Sequence, residues 1–230
     1  MEFRNFFLSA LPKDDLDSVL PFLSETSLER GQVMYEPGDA IEHVFFPSSA
    51  VISVVTRMHN GDGVESSTVG YETAAPLLTA LTGQSAKARF FAQIGGAALR
   101  LPGSVLRSRA RDSASFSELV LRHAAASSFQ AEQGVACNAL HPAPRRLARW
   151  ILMTQDRVGT RTVPLTQDYM AIMTGVQRTT ISVVASQLRQ AGYIRYMRGN
   201  LEVIDRAGLE GYACECYQAI RVQFNELLDR

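Results

Sequence analysis

The sequence has no uninterrupted apolar run of about 18 residues, and its first residues lack a basic stretch followed by an apolar core. A transmembrane helix needs the first pattern and a secretory signal needs the second, so we expect neither. The chain also has only 3 cysteines among its 230 residues, an odd number that does not fit a framework of disulfides. Few thiols without partners are typical of a reducing compartment, and we therefore expect a cytoplasmic protein.

Motifs of the common catalytic sites are missing as well. The sequence contains no G-x-S-x-G, H-E-x-x-H, P-loop or dinucleotide fingerprint, and its 4 histidines are scattered without a catalytic partner at a recognisable spacing. These absences predict a protein that is not an enzyme.

The cysteines do not predict a metal site. Cys214 and Cys216 fall in a segment predicted to be helical, where residues two apart point about 200° away from each other. Together with Cys137 they make three thiols without a paired histidine motif, fewer than the four ligands of a structural zinc or iron–sulfur site. We therefore expect buried or idle thiols, no bound metal and no cofactor.

The net charge of zero conceals an uneven distribution. Residues 1–140 carry 11 basic and 15 acidic residues, whereas residues 141–208 carry 10 basic and 4 acidic ones. A positive module attached to a negative one favours a carboxy-terminal half that meets the phosphates of a nucleic acid.

Residues 165–188 have the pattern of a helix-turn-helix. Thr166 is placed to cap a short helix that runs through Met173, and Gly175 suits a tight turn with positive φ. The second helix has one apolar face, made of Ile181, Val184, Ala185 and Leu188. Its other face carries hydrogen-bond donors and almost no acid, namely Arg178, Thr179, Ser182, Ser186 and Arg189. Such a face can enter a DNA major groove, although a helical pair packed in a core with a solvated polar face is the alternative.

The residues that follow predict a wing. Gly192 ends the second helix, and residues 193–204 are expected to form two short strands joined at Arg198-Gly199-Asn200. The order of helix, glycine turn, helix, G-Y-I-R, hairpin and D-R-A-G-L resembles the winged-helix regulators of the Crp/Fnr type. That resemblance implies an α+β chain with an N-terminal β-roll sensor domain at 1–111, a long dimerisation helix at 112–140 and a C-terminal winged helix-turn-helix domain at 141–230.

The N-terminal part fits the cyclic-nucleotide-binding β-roll of the same family. Short β-rich segments alternate with glycine and proline from residue 28 to 101, and R-G-Q-V-M-Y-E-P-G-D and V-G-Y-E match family motifs. The family grips a cyclic phosphate with a glycine-glutamate turn and a downstream arginine. Here Glu72 matches the glutamate, but Thr73 replaces a glycine and Ala86-Lys87-Ala88 replaces the arginine motif. Lys87 is not an equivalent of the forked guanidinium, and Arg89 is the alternative cation. A roll that is not gated by cyclic nucleotide is therefore favoured.

A long helix is expected between Asp112 and Leu140, with Asp112 or Ser113 as its cap. Its apolar residues recur at a/d spacing, and a stripe of small residues adjoins them: Val120, Ala124, Ser127, Ala131 and Gly134. A small stripe lets a helix approach a twin closely, whereas a helix packed wholly on its own roll is the alternative. The resemblance implies a homodimer and places Ser127 and Ser128 at the border of the ligand pocket.

After the hinge at residues 141–144, the first helix of the last domain is expected to bury Leu147, Trp150 and Ile151 and to expose Arg145, Arg146 and Arg149. A further helix is expected from about Leu209 to the end of the chain.

The resemblance also assigns roles to individual residues. Arg178 would bind a guanine, Thr179 and Ser182 would read neighbouring bases, and Val183 would contact a thymine methyl group. DNA phosphates would be held by Thr166, Gln177, Thr180 and Arg198. The expected partners are an inverted-repeat DNA operator, a second copy of the chain and RNA polymerase, with no membrane. A small-molecule sensor whose ligand gates DNA binding is the alternative function.

Overall fold

The computed structural model describes residues 3–197 and 199–227. Its helices are α1 (Phe6–Ala10), α2 (Lys13–Val19), α3 (Leu77–Thr82), α4 (Gly103–Asp112), α5 (Ala114–Leu140), α6 (Ala143–Val158), α7 (Gln167–Thr174), α8 (Arg178–Gln190), α9 (Arg206–Tyr212) and α10 (Cys216–Leu227). Its strands are β1 (Ser24–Leu28), β2 (Val33–Tyr35), β3 (His43–Pro47), β4 (Val51–Arg57), β5 (Gly63–Val69), β6 (Arg89–Ile94), β7 (Gly96–Pro102), β8 (Thr162–Pro164), β9 (Ile194–Met197) and β10 (Asn200–Val203). The predicted α+β fold with an N-terminal sheet domain is confirmed.

The N-terminal domain is a roll of two antiparallel sheets with strand orders β1-β7-β3 and β2-β6-β4-β5. Both sheets contribute to one core, in which Phe46, Ile52, Ala92 and Leu101 are at most 1% exposed. The alternation of short strands with glycine and proline was therefore read correctly. The helices α3 and α4 were not predicted, because their few apolar residues lie among strands and give no helical period of their own.

The C-terminal domain combines α6 to α10 with a small sheet of order β8-β10-β9. Trp150 and Ile151 of α6 are fully buried in its core, as the sequence predicts. This core continues into the roll, since it also includes Val51 of β4 and Phe91 of β6. Tyr169 of α7 stacks on Phe91 with ring centroids 5.8 Å apart. The two domains are thus packed against each other through apolar side chains.

Helix α5 begins after Ser113, whose hydroxyl accepts a hydrogen bond from the Phe116 amide at 3.2 Å. The expected long helix is therefore present, and of the two proposed N-cap residues, Asp112 and Ser113, the cap is Ser113. Six of the eight residues at the predicted a/d positions are buried within the chain, namely Phe116, Leu119, His123, Ala126, Gln130 and Cys137. Gln133 is half-buried, and Leu140 at the end of the helix is 78% exposed. The adjoining stripe of small residues is buried or half-buried too. A different face is exposed, formed by Leu121, Ala125, Ser128, Glu132, Val135 and Ala139.

The C-terminal segment differs from the single helix that the sequence predicts. Helix α9 ends at Tyr212, and α10 begins at Cys216 after a break at residues 213–215. Cys214 therefore lies in the break and not on a helix, so the helical geometry that excluded a shared site for Cys214 and Cys216 does not apply. Among the described helices, none is both long and apolar enough to cross a bilayer.

Candidate DNA-binding surface and effector region

Helices α7 and α8 form a helix-turn-helix at the predicted positions. Thr166 is the N-cap of α7, and its hydroxyl accepts from the Tyr169 amide at 3.3 Å. Gly175 ends the helix with φ of +63°, a conformation that glycine adopts without strain. Ile181, Val184, Ala185 and Leu188 are all buried against the domain core. These contacts fix the opposite face of α8 toward solvent.

The outer face of α8 is exposed at each position that the sequence assigned to base reading. Arg178, Thr179, Ser182 and Val183 are exposed, and Val183 is 59% exposed although it is apolar. The Arg178 guanidinium lies 3.2 Å from the carboxylate of Asp168 on α7. Both side chains are more than 60% exposed, so this ion pair is weak and can open when a nucleic acid approaches.

The residues assigned to phosphate contacts lie around the same face. Gln177 and Thr180 are exposed at the N-terminal end of α8, and Thr166 is half-buried at the start of α7. Strands β9 and β10 form the predicted hairpin, and Tyr196 of β9 donates to the carbonyl of Leu165, just before the start of α7, at 3.1 Å. Arg198 lies outside the described residues. The geometry therefore brings three of the four assigned residues to one edge of the helix-turn-helix.

Two arginines of α6 are not where the sequence analysis expected them. Arg146 and Arg149 are 9% and 6% exposed, whereas the prediction placed them on the outside of the helix. Arg146 donates to the backbone carbonyl and side-chain oxygen of Asn138 on α5, at 3.3 and 3.1 Å. The expectation was wrong because helical period alone does not reveal that α5 covers this side of α6.

Around Glu72, which the family resemblance assigns to a ligand, the structure has a buried ion pair between the two domains. Arg157 of α6 donates to the carboxylate of Glu72 at 2.7 Å, and both side chains are at most 10% exposed. The same guanidinium donates to the Thr68 carbonyl at 3.1 Å and to the side-chain oxygen of Gln130 at 3.0 Å. The carboxylate that the family resemblance assigns to a ligand is thus satisfied by the chain itself. The sequence analysis missed Arg157, because nothing in its spacing distinguishes this residue from the other arginines of α6.

The other residues of the expected ligand pocket are dispersed. Thr73 lies next to His123, with its hydroxyl 3.0 Å from Nδ1, and Ser127 donates to the His123 carbonyl. Burial lowers the pKa of His123 to about 4, so this histidine is neutral. Ser128 is exposed and donates to Glu132. None of these residues lines the pocket of about 110 Å³ that Glu72 and Arg157 border.

The two candidate cations lie apart from this group. Lys87 is exposed, and Arg89 lies 3.1 Å from the carboxylate of Glu36 and packs over the Phe91 ring. Arg89 lines a groove of about 610 Å³ between the roll and α7, and Glu72 does not contribute to that groove.

A second carboxylate, half-buried and also missed by the sequence analysis, joins the domains. Glu65 on β5 accepts a hydrogen bond from the Trp150 indole at 2.9 Å and lies 2.6 Å from the Ser53 hydroxyl. Burial raises its pKa from 4.5 to about 7, although hydrogen bonds and the charge of Arg157 oppose the change. When Glu65 is protonated, the three side chains form a consecutive series of hydrogen bonds. Glu65 donates to the Ser53 hydroxyl, and Ser53 donates to the side-chain oxygen of Gln93, 2.8 Å away.

Comparison with known proteins agrees with this geometry. Residues 145–212 match the sequence model of the Crp-like helix-turn-helix domain. A Crp/Fnr-family structure from Eubacterium rectale aligns over 89% of this chain and 95% of its own, with 14% identity and a TM-score of 0.71. FixK2 from Bradyrhizobium japonicum aligns over 84% and 98%, with 15% identity and a TM-score of 0.69. A CRP-family transcriptional regulator from Thermus thermophilus aligns over 82% and 96%, with 21% identity and a TM-score of 0.70. A search of curated proteins gave no significant match. At these identities the structures establish a shared fold.

Proposed function

We propose that the chain is a regulator of the Crp/Fnr type, which acts as a homodimeric, sequence-specific DNA-binding transcription regulator and not as an enzyme, in the cytoplasm. The observation that carries this proposal is the exposed face of α8, which presents Arg178, Thr179 and Ser182 with no carboxylate on the helix itself. A helix of this kind is held by its apolar face and offers donors to the acceptor-rich edges of base pairs. Sequencing of the DNA that co-purifies with the protein tests the proposal, and it predicts enrichment of one inverted-repeat sequence. RNA polymerase is the further partner that this role implies.

Base reading is expected to depend on Arg178. Removal of its guanidinium in Arg178→Ala should cost ~1–3 kcal/mol on the specific site, about 5- to 150-fold in Kd, and should relax the preference for guanine at one position. Fluorescence anisotropy on specific and scrambled duplexes at fixed salt measures the effect. The control is Arg221→Ala on α10, an exposed arginine that packs on Tyr217 and lies outside the helix-turn-helix. Equal weakening on both duplexes would instead make Arg178 a phosphate contact.

The homodimer is proposed to form along the exposed face of α5. Leu121, Ala125, Ser128, Glu132, Val135 and Ala139 follow one another at alternating spacings of four and three, the spacing of a coiled-coil seam. Val135 is 72% exposed and Leu121 is 54% exposed, large values for apolar side chains on the longest helix. Two helix-turn-helix units related by a two-fold axis would bind half-sites about one helical turn apart, ~34–36 Å.

An arginine in this seam is expected to separate the subunits. Ala125→Arg places like charges opposite each other in a dimer but leaves a monomer almost unchanged, since Ala125 is exposed in the single chain. Light scattering should then report the mass of a monomer, and affinity for the inverted repeat should fall. The control is Ala10→Arg, the same substitution at an exposed alanine of α1. A dimer that survives Ala125→Arg with unchanged DNA affinity would remove this face of α5 from the interface.

Gating by cyclic nucleotide is not expected. Glu72 is already paired with Arg157, and Arg89 is paired with Glu36, so neither is available to a ribose or phosphate in this arrangement. Millimolar cyclic AMP should therefore leave the melting temperature unchanged. A ligand at a hundred times its Kd would add ~2.7 kcal/mol, which raises the melting temperature of a chain of this size by several degrees. An upward shift of that size would favour the alternative function, a sensor whose ligand gates DNA binding.

A further inference from the structure

Four potential metal ligands meet where α5 ends and the C-terminal segment breaks. Cys137 lies in the last turn of α5, and His141 is the C-cap residue that directly follows the helix. Cys214 lies in the break between α9 and α10, and Cys216 begins α10. The donor atoms of all four lie within 4.8 Å of one another, and the three thiols are buried. We propose that Cys137, His141, Cys214 and Cys216 bind one Zn²⁺ ion.

The distances fit a single ion. Around a tetrahedral Zn²⁺ with bonds of ~2.3 Å to sulfur and ~2.0–2.1 Å to nitrogen, neighbouring donors lie roughly 3.5–3.8 Å apart. The Cys137 and Cys214 sulfurs are 3.5 Å apart, and the Cys216 sulfur is 3.5 Å from Nδ1 of His141. Three cysteines and one histidine are also an established donor set of closed, structural zinc sites.

The surroundings orient the ligands for a metal. Nε2 of His141 donates to the Glu215 carboxylate, 3.1 Å away, so Nδ1 keeps its lone pair and faces the thiols. A carboxylate behind a histidine is the usual support of a metal-binding imidazole. The Gln133 amide donates to the Cys216 sulfur at 3.0 Å and fixes its position beside His141.

The buried charges around the four residues are an independent reason to propose a bound metal ion. Arg146 and Arg149 are buried, and neither forms an ion pair with a carboxylate of the described residues. Their Nε atoms have no hydrogen-bond partner in that part of the chain. Three thiolates, one neutral imidazole and Zn²⁺ carry a net charge of −1, because binding of the ion releases the three thiol protons to solvent. A site of this charge would compensate part of the buried positive charge.

Occupancy of the site would join three parts of the fold. Cys137 belongs to the long helix, His141 to the hinge before α6, and Cys214 and Cys216 to the segment that leads into α10. The ion would therefore fasten the last helix of the DNA-binding domain to the end of α5. This role does not depend on DNA binding or on an effector in the roll.

Metal analysis of the purified full chain tests the proposal. Protein prepared under reducing conditions without a histidine tag should contain one zinc per chain by mass spectrometry. His141→Ala and Cys216→Ser should each lower the zinc content by at least half, whereas His59→Ala, which removes an exposed histidine on the roll, should retain one zinc. Glu215→Gln should keep the site but weaken it about 10- to 100-fold, as loss of a supporting carboxylate does.

Cobalt provides a readout that does not require a variant to fold. Titration of the metal-free wild-type chain with Co²⁺ should give the intense visible absorption of a tetrahedral thiolate complex, saturating at one ion per chain. Addition of Zn²⁺ should abolish that absorption. The proposal is overturned if reduced protein contains no zinc and gives no thiolate absorption with cobalt. It is also overturned if the protein prepared under reducing conditions holds a Cys137–Cys214 disulfide, or iron with sulfide, in place of zinc.

Discussion

Replacing Arg157 with methionine should lower the free energy of unfolding by about 3–5 kcal/mol, the largest effect we expect of a single substitution. The variant leaves Glu72 as a buried carboxylate without its cation, since both side chains are at most 10% exposed in the native chain. It also removes the donors to the Thr68 carbonyl and to Gln130. Urea unfolding followed by circular dichroism measures the loss as a lower midpoint.

A double variant separates the charge from the packing. Arg157→Met with Glu72→Gln has no buried charge left, so it should recover most of the lost stability. The matched control is Arg195→Met, which breaks the ion pair with Glu202 on the wing, where Arg195 is 59% exposed. An exposed pair contributes at most ~1 kcal/mol, and the control should therefore unfold near the wild-type midpoint. An Arg157→Met midpoint equal to that of the control would mean that the pair between the domains does not stabilise this arrangement.

Glu65 should make the stability of the chain depend on pH. Its pKa in the folded chain is about 7, raised by burial from 4.5, so the folded state binds more protons than the unfolded state between these values. The free energy of unfolding therefore falls as pH rises through that window, by a contribution on the order of 3 kcal/mol. The contribution is complete below the unfolded pKa and is lost as pH rises through about 7.

Glu65→Gln removes this dependence without removing the hydrogen bonds. A glutamine can accept from the Trp150 indole and donate to the Ser53 hydroxyl, the roles that a protonated glutamate fills. We expect the stability of the variant relative to wild type to rise between pH 5 and pH 8. The exposed Glu25→Gln on β1 is the control, and its difference from wild type should stay constant. Parallel curves for wild type and Glu65→Gln would show that Glu65 is charged at low cost in the folded chain.

The exposure of some arginines was predicted correctly and that of others was not, and one physical reason explains both outcomes. Arg178 was correctly expected on an exposed face because its helix has an unambiguous apolar side. Arg146 and Arg149 follow the same helical period on α6, yet they are buried. Arg146 donates to Asn138 of α5, and α10 packs on the same helix. A period reveals which side of a helix is apolar, but it does not reveal whether another element packs on the polar side.

The cysteines differ from the expectation for a related reason. Cys137 and His141 were a detectable pair, since they are only four residues apart at the predicted end of the long helix. Cys214 was assigned to a helix that in fact breaks at residues 213–215, and this break brings its sulfur 3.5 Å from Cys137. The two pairs are more than 70 residues apart in sequence, and the contact between α5 and α10 brings them together.

The sequence by itself determined the features that depend on neighbours along the chain. The caps, the glycine turn of residues 167–190, the exposed face of α8 and the short strands of the roll all follow from spacings of a few residues. The tertiary structure decided which polar groups became buried partners. Glu72 meets Arg157, Glu65 meets Trp150, and Cys137 meets Cys214 across 85, 85 and 77 residues of sequence. Such pairs form because burial removes water from each group, so each must find a complement wherever the packing of the apolar faces happens to place one.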